Sequence, residues 1–321
     1  MTDPDSMPSK RGLDVDALEV RAAKRRKVGP LDNNRVAGKV RERYMMHVSW
    51  FNDWVNYVGL RAAKTYEELD LQAAEYVEFL WDANQSLEIG LNTASGIQHV
   101  LYQRRALKKT WALLDVWRKH EPPVQAPPID RSWVFAMAMY AITVLGEVAF
   151  GISLLTAFHG LLRTGELFGL QRQHVVFDVT QSSVLLWLGQ SKSGKRSNSN
   201  EWAIVDEPYT VQLLMWLSTN LHPGDPMIGM SPHRWRKLFD ESLEALQISS
   251  FGIRPYSLRR GGATALLRQC GDISIVMERG RWGSVKVCKQ YLMEAVVILH
   301  QLTVPEGTAQ VLANLAAMWA W

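Results

Sequence analysis

Tyr256-Ser257-Leu258-Arg259-Arg260-Gly261-Gly262-Ala263-Thr264-Ala265-Leu266-Leu267 is the stretch on which the reading of this chain turns. It places an arginine at the head of a small-residue, apolar segment that reads as a helix over 258–269. Two glycines inside a helix lower its intrinsic stability, by about 1 kcal/mol each relative to alanine. Such a cost is tolerated where backbone must pack closely against its surroundings. An arginine at this point suits an oxyanion, because its planar fork meets phosphate through two hydrogen bonds and keeps its proton.

Four more pieces extend outward from this stretch. Downstream lie Arg281-Trp282-Gly283 and Lys289-Gln290-Tyr291-Leu292. Upstream lie Leu161-Leu162-Arg163-Thr164-Gly165-Glu166-Leu167 and Ser191-Lys192-Ser193-Gly194-Lys195. Trp282 follows Arg259 by 23 residues and precedes Tyr291 by 9. Two arginines, a lysine, an indole and a phenol form a set able to attack a phosphodiester without a metal. The phenol supplies the nucleophile. The arginines and the indole N–H stabilise charge on the phosphate oxygens. Glu166, three residues after Arg163, lies close enough to orient Arg163 or a neighbouring donor. Taken singly, each piece has a plain structural explanation: a surface ion pair, a solvated loop, a core tryptophan or tyrosine. What sets the pieces apart is their order and the two spacings, and these match a known family.

The set resembles the catalytic domain of the tyrosine recombinases, the phage-integrase family of DNA breaking and rejoining enzymes. The matching motifs span about residues 135–295. The resemblance implies that Arg163 and Arg259 clamp the scissile phosphate and that Tyr291 forms a 3′-phosphotyrosyl bond. It implies that Lys192, in a strand–turn–strand, protonates the departing 5′ oxygen, with Lys195 of the same turn as the alternative. Trp282 stands where the family has His or Trp. Tyr256 stands where the family usually has His. A phenol with an ordinary pKa of about 10 cannot serve as a base at neutral pH in the same way, although it can hydrogen-bond a phosphate or a water. This departure supports a rival reading, a DNA-binding derivative of the fold with impaired or absent chemistry. A type IB topoisomerase has a similar site, but the compact two-domain layout argues against it. A helical interaction module unrelated to DNA would show no salt-dependent DNA affinity.

The resemblance further implies double-stranded DNA as partner and a homo-multimer on it, a synaptic tetramer. No cofactor is implied, because the covalent intermediate conserves the phosphodiester energy for rejoining. The helical segment before the linker matches the family's N-terminal core-binding domain in size, class and position. By that likeness Arg104, Arg105, Lys108 and Lys109 are phosphate contacts, with Lys195 a further DNA contact; a solvated helix face explains the first four equally. The tail stands where the family has a segment that docks on a neighbouring protomer. Leu312, Leu315, Trp319 and Trp321 can instead pack within their own chain.

The expected fold class is mainly α with a small antiparallel β-sheet, preceded by a helical domain. Residues 1–38 read as a disordered basic arm, 39–120 as the helical domain, 121–129 as a linker, 130–300 as the catalytic domain and 301–321 as a tail helix. The linker rests on Glu121-Pro122-Pro123-Val124-Gln125-Ala126-Pro127-Pro128, whose proline pairs exclude helix and central strand. Thr65 and Glu68 form a capping-box start, and Thr93 is expected to open a further helix. Strands are expected over 174–179, 183–188 and 201–205, and a helix over 284–299 that carries Tyr291.

Composition bounds these readings. The chain has 321 residues, 47% hydrophobic and 21% charged, enough for two cores. Its two cysteines, Cys270 and Cys288, exclude a disulfide scaffold and a cysteine zinc cluster. The apolar stretch from Trp133 to Phe158 is broken by Glu147 and reads as a buried helix pair rather than a membrane span. The first residues are polar and charged, unlike a secretory signal. The net charge of +4 is concentrated early: residues 1–43 hold 11 Lys/Arg against 7 Asp/Glu, and the remainder 25 against 25. Lys24, Arg25, Arg26 and Lys27 form a compact run that suits a nuclear import receptor reading an extended peptide, the alternatives being a solvated charge run or an arm that touches DNA phosphates. They imply a nuclear location and, with the motifs, a eukaryotic mobile-element type; without import, the location is the cytoplasm or nucleoid.

Overall fold

The computed structural model describes residues 15–28, 30–31, 34–103, 105–122, 125–178, 180, 182–189 and 200–319. The chain divides into two compact units, Met1–Val124 and Gln125–Trp321.

The first unit contains helices α1 Val15–Val28, α2 Gly38–Tyr57, α3 Tyr66–Asp82, α4 Leu87–Leu101 and α5 Lys108–His120. Helices α2 to α5 enclose Phe51, Val55, Tyr76, Val77, Leu80, Ile97, Leu114 and Trp117. Thr65 caps α3 by accepting from Glu68 N at 3.1 Å, while the Glu68 carboxylate accepts from Lys64 N at 2.7 Å. Asp70, on α3, ties down the start of α5. Its carboxylate accepts from Lys109 N at 2.8 Å, Thr110 N at 2.9 Å and Thr110 Oγ1 at 2.8 Å. First-turn amides have no intrahelical acceptor, and Asp70 supplies one from another helix.

Two expectations for this unit are corrected. The arm expected to be disordered over 1–38 includes helix α1, whose Ala, Leu, Glu, Lys and Arg residues are strong helix formers. Its last turn carries Arg25, Arg26 and Lys27, where cations complement the helix dipole. Thr93 does not open a helix. It lies inside α4, its hydroxyl donating to Ile89 O at 2.9 Å, and the helix starts after Ser86. The chain leaves α4 through Tyr102 in the left-handed region, φ 57°.

The second unit begins with α6 Arg131–Thr143 and α7 Val148–His159, the helix pair expected from the apolar stretch. Gly146, at φ 69°, makes the turn between them. None of the described helices is long and apolar enough to cross a membrane. After the short α8 Thr164–Gly169 comes an antiparallel sheet of β1 Val175–Phe177, β2 Val184–Gly189 and β3 Glu201–Val205, in that order. Val184 pairs with Val205 and Leu186 with Ala203, and all four are buried, so one face of the sheet joins the core. Helices α9 Pro208–Ser218 and α10 Pro232–Ala245 follow. Trp235 is wholly buried and donates from Nε1 to Ser153 Oγ at 2.7 Å.

Helix α11 Pro255–Cys270 runs through this core. A Cβ on Gly261 would sit 2.1 Å from Ile129 O, and one on Gly262 would sit 2.0 Å from Phe158 O. The paired glycines therefore admit two backbone carbonyls against the helix. Helices α12 Ile273–Gly280, α13 Val285–Lys289, α14 Glu294–Leu302 and α15 Glu306–Trp319 complete the unit. Thr308 of α15 is fully buried and donates to Leu246 O at 2.8 Å, while Val311 and Leu312 pack on the main core. The tail helix thus packs on its own chain; Trp321 and the side chains of Leu315 and Trp319 lie outside what is described.

The helix expected over 284–299 is broken between Lys289 and Glu294. Tertiary hydrogen bonds compete with the helical ladder there. Arg260 Nη2 takes the Gln290 carbonyl at 2.6 Å, and Thr264 Oγ1 lies 3.5 Å from both Tyr291 O and Met293 N. Tyr291 therefore lies in a turn between two short helices.

Candidate active site

The site is assembled around the carbonyl of Leu161. This residue has φ 47°, and a leucine in the left-handed region costs roughly 1–2 kcal/mol. The conformation follows the end of α7 and presents Leu161 O to two guanidinium groups. Arg259 Nη1 donates a short hydrogen bond to it, and Arg281 Nη2 donates at 3.0 Å. Arg259 Nη2 donates to Gly280 O at 2.5 Å. Arg259 is wholly buried, with its Nε lacking a partner.

Arg163 is the N-cap residue of α8. Glu166 Oε2 accepts from Arg163 N at 2.8 Å, and Oε1 accepts from Arg163 Nη1. Glu166 thus pairs with both the main-chain N–H and the side chain of Arg163. The same carboxylate accepts from Arg281 Nη2 at 2.9 Å and lies 3.8 Å from Arg259 Nη1. Burial works to raise the Glu166 pKa, but the adjacent Arg281 and Arg163 outweigh it and hold the carboxyl below its usual range. Arg281 Nε lies 3.6 Å from Glu201 Oε2 at the start of β3. Three guanidinium groups thus face two carboxylates, Glu166 and Glu201, leaving a cationic excess in a largely desolvated place. Burial, followed by the charges of Arg281 and Arg163, lowers Arg259 to about 10, so it stays protonated at neutral pH.

The aromatic residues cover this cluster. Trp282 is buried, with its ring centroid 4.8 Å from Arg259 Cζ. Gly280 makes room for the indole, since a Cβ there would lie 1.9 Å from Trp282 Cζ3. Tyr291 lies 4.6 Å from Trp282 between centroids and 5.8 Å from Arg259 Cζ. Its hydroxyl makes a short hydrogen bond with that of Tyr256, which leads α11. Burial pushes Tyr256 up to about 12, reinforced by its bond to Tyr291. For Tyr291 burial also acts upward, but the Tyr256 hydroxyl, the polar edge of Trp282 and the charges of Arg259 and Arg163 outweigh it, and the phenol falls below its ordinary value. Trp282 Nε1 is buried, and its N–H favours the Tyr291 phenolate.

Arg163, Glu166, Tyr256, Arg259, Trp282 and Tyr291 thus form one connected cluster. Lys192, Lys195 and Arg104 lie outside the described residues. Arg105, Lys108 and Lys109 belong to the first unit, exposed at and just before the start of α5. Arg281, Glu201, Leu161 and Gly280 are absent from the sequence-based expectation. Arg281 adjoins Trp282 in a quoted motif, but no spacing rule marks it.

The arrangement can hold an anion. Arg163 is partly exposed, at 29% of its side chain, and the neighbouring phenol is biased toward its anion. A phenol biased toward its anion, fixed cations and an indole N–H in one place are groups that can serve phosphoryl transfer.

This unit has the fold of the tyrosine recombinase catalytic domain. No family model matches the chain, and no curated protein matches it. Solved structures do. A post-cleavage complex of the XerH site-specific recombinase, bound to palindromic difH substrate, matches with a TM-score of 0.56 and 14% identity, over 87% of this chain and 81% of that one. The Tn1549 transposon integrase, in complex with circular intermediate DNA, matches with a TM-score of 0.54 and 12% identity, over 89% and 98%. A lambda integrase dimer bound to a COC′ core site matches with a TM-score of 0.53 and 13% identity, over 88% and 96%.

Proposed function

We propose that this chain cleaves and rejoins duplex DNA through a 3′-phosphotyrosyl intermediate at Tyr291. The observation that carries the reading is the Tyr291 phenol lying over the buried Arg259 and beside Trp282, with its hydroxyl on Tyr256. In the forward step the Tyr291 oxygen bonds to phosphorus and the bond to the 5′ oxygen breaks. The phenol proton leaves through the Tyr256 hydroxyl to solvent. The 5′ oxygen takes a proton from Lys192 or Lys195. Arg163 and Arg259 stabilise the charge that develops on the phosphate oxygens, and Trp282 donates from its indole. Attack by the 5′ hydroxyl on the phosphotyrosyl bond reverses each transfer. The DNA-bound recombinases that share this fold support duplex DNA as the substrate class.

In this reading Arg105, Lys108 and Lys109 contact phosphates together with Arg104, and strand exchange uses a multimer. Nuclear import through Lys24, Arg25, Arg26 and Lys27 requires helix α1 to unwind at its last turn, because the receptor reads an extended peptide. The test is a nicked suicide duplex incubated with the purified chain. Wild type gives a denaturant-resistant DNA adduct and Tyr291→Phe gives none; an adduct that persists in Tyr291→Phe removes Tyr291 from the mechanism.

A second reading is favoured by a specific contact. Both terminal nitrogens of Arg259 are committed to main-chain carbonyls beneath two phenols. A chain that binds duplex DNA with ordinary salt dependence and forms no adduct is a DNA-binding derivative of the fold.

A further inference from the structure

Arg281 joins several parts of the cluster and has no part in the chemistry above. It follows α12 and has φ 58°. Five non-glycine residues among those described have positive φ, and two of them, Leu161 and Arg281, meet here. Arg281 Nη2 donates to Leu161 O at 3.0 Å and to Glu166 Oε2 at 2.9 Å. Its Nη1 reaches Arg279 O at 3.3 Å, and its Nε faces Glu201 Oε2 at 3.6 Å. Its side chain is only 7% exposed. A residue in a sparsely populated backbone region persists when its surroundings over-determine it, and such residues gather at functional sites.

We propose that Arg281 is a positioning residue, which holds Glu166 and the Leu161 carbonyl so that Arg163 and Arg259 converge on one phosphate. Four elements meet through this one guanidinium: the end of α7, the start of α8, the end of α12 and the start of β3. Glu166 Oε1 takes the Arg163 side chain, while Oε2 is shared between Arg163 N and Arg281 Nη2. Leu161 O is shared by Arg259 and Arg281. Removing Arg281 leaves Glu166 with Arg163 as a partner, so the fold survives while the angle between the two clamps loosens. Lysine keeps the charge but cannot meet Leu161, Glu166, Arg279 and Glu201 from a single nitrogen. A misplacement of about 1 Å in a clamp costs on the order of a hundredfold in rate.

The inference rests on the recombinase reading for its rate measurement and has an independent arm. Arg281→Lys and Arg281→Gln are made in the full chain. Duplex affinity is measured by gel retardation, stability by urea unfolding, and single-turnover adduct formation on the suicide duplex at saturating protein. The ordering of Arg163 is followed by hydrogen exchange of its Nε–H in NMR spectra of the free protein. The expected result is affinity within about threefold of wild type, an adduct rate roughly a hundredfold lower in both variants, and faster exchange at Arg163. An unchanged adduct rate overturns the proposal, as does unchanged exchange at Arg163. A joint collapse of affinity, stability and rate in Arg281→Lys overturns it too, because it marks a merely structural residue. Should wild type itself form no adduct, the recombinase reading falls, and the exchange measurement still decides whether Arg281 positions Arg163.

Discussion

The hydroxyl groups of Tyr256 and Tyr291 are hydrogen-bonded to one another, and their ring centroids lie 5.8 Å apart. The two phenols are pushed in opposite directions. Burial sends Tyr256 up to about 12, whereas Tyr291 lies below the ordinary phenol range because donors and guanidinium charges favour its anion over the opposing effect of burial. Tyr256 therefore remains the donor when Tyr291 ionises, which is the arrangement an attacking phenolate needs.

A pH dependence follows. A hydrogen bond donated to the phenolate stabilises the charged form and lowers its pKa, so removing the donor raises it. In Tyr256→Phe the rise of the adduct rate with pH moves upward, and the rate near neutral pH falls by about tenfold, an effect in the range of one charge-assisted hydrogen bond. Tyr256→His places a group with an ordinary pKa of about 6.5 beside Tyr291 and adds a limb to the profile near that value. Single-turnover adduct rates between pH 6 and 10 check both outcomes.

The glycine pair of α11 is a packing requirement. Gly262→Ala drives a methyl to 2.0 Å from Phe158 O, so helix and carbonyl must separate. The gain in helix propensity is about 1 kcal/mol, and the overpacking cost is roughly 1–3 kcal/mol or more. Urea unfolding of Gly262→Ala should show a net loss of stability with an unchanged denaturant slope.

His159 gives the second unit an acid-sensitive element. Its Nδ1 is hydrogen-bonded to Thr210 Oγ1 at 2.9 Å, and Nε2 is buried without a partner. Burial, then the charge of Arg131, lowers its pKa to about 4. The unfolded chain binds this proton from about pH 6.5 downward and the folded one only near its lowered value. The contribution is therefore complete above pH 6.5 and is lost as pH falls toward 4, by roughly 3 kcal/mol at most. His159→Asn should flatten this part of the stability profile measured by urea unfolding.

Asp70 does for α5 what a local cap does for other helices. Asp70→Ala leaves Lys109 N and Thr110 N without their acceptor. The expected cost is about 1–2 kcal/mol, read as a lower unfolding midpoint of the first unit.

Much of the fold is legible where the determinants are local. The alternation of Val184, Leu186, Ala203 and Val205 marks the sheet, and the Thr65 cap marks the start of α3. The spacing of Arg259, Trp282 and Tyr291 identifies the members of the candidate cluster. What escaped the sequence was decided by tertiary contacts. Tyr291 leaves the expected helix because Arg260 and Thr264 compete for its backbone partners. Asp70 caps a helix 39 residues away. Arg281 matters through Leu161 and Glu166, over 100 positions upstream, and no periodicity encodes that meeting. Gly280 is explained only by the ring of Trp282 that rests on it.

The central claim is that the Tyr291 oxygen is the atom that bonds to phosphorus. Because the Tyr256 hydroxyl touches it, the direct test is to identify the modified side chain. The adduct trapped on a suicide duplex is digested with nuclease and protease, and the nucleotide-bearing peptide is sequenced by tandem mass spectrometry. The nucleotide is expected on Tyr291, with Tyr256 unmodified. A nucleotide on Tyr256 or any other residue, or no modified peptide under conditions where the duplex is bound, contradicts the account.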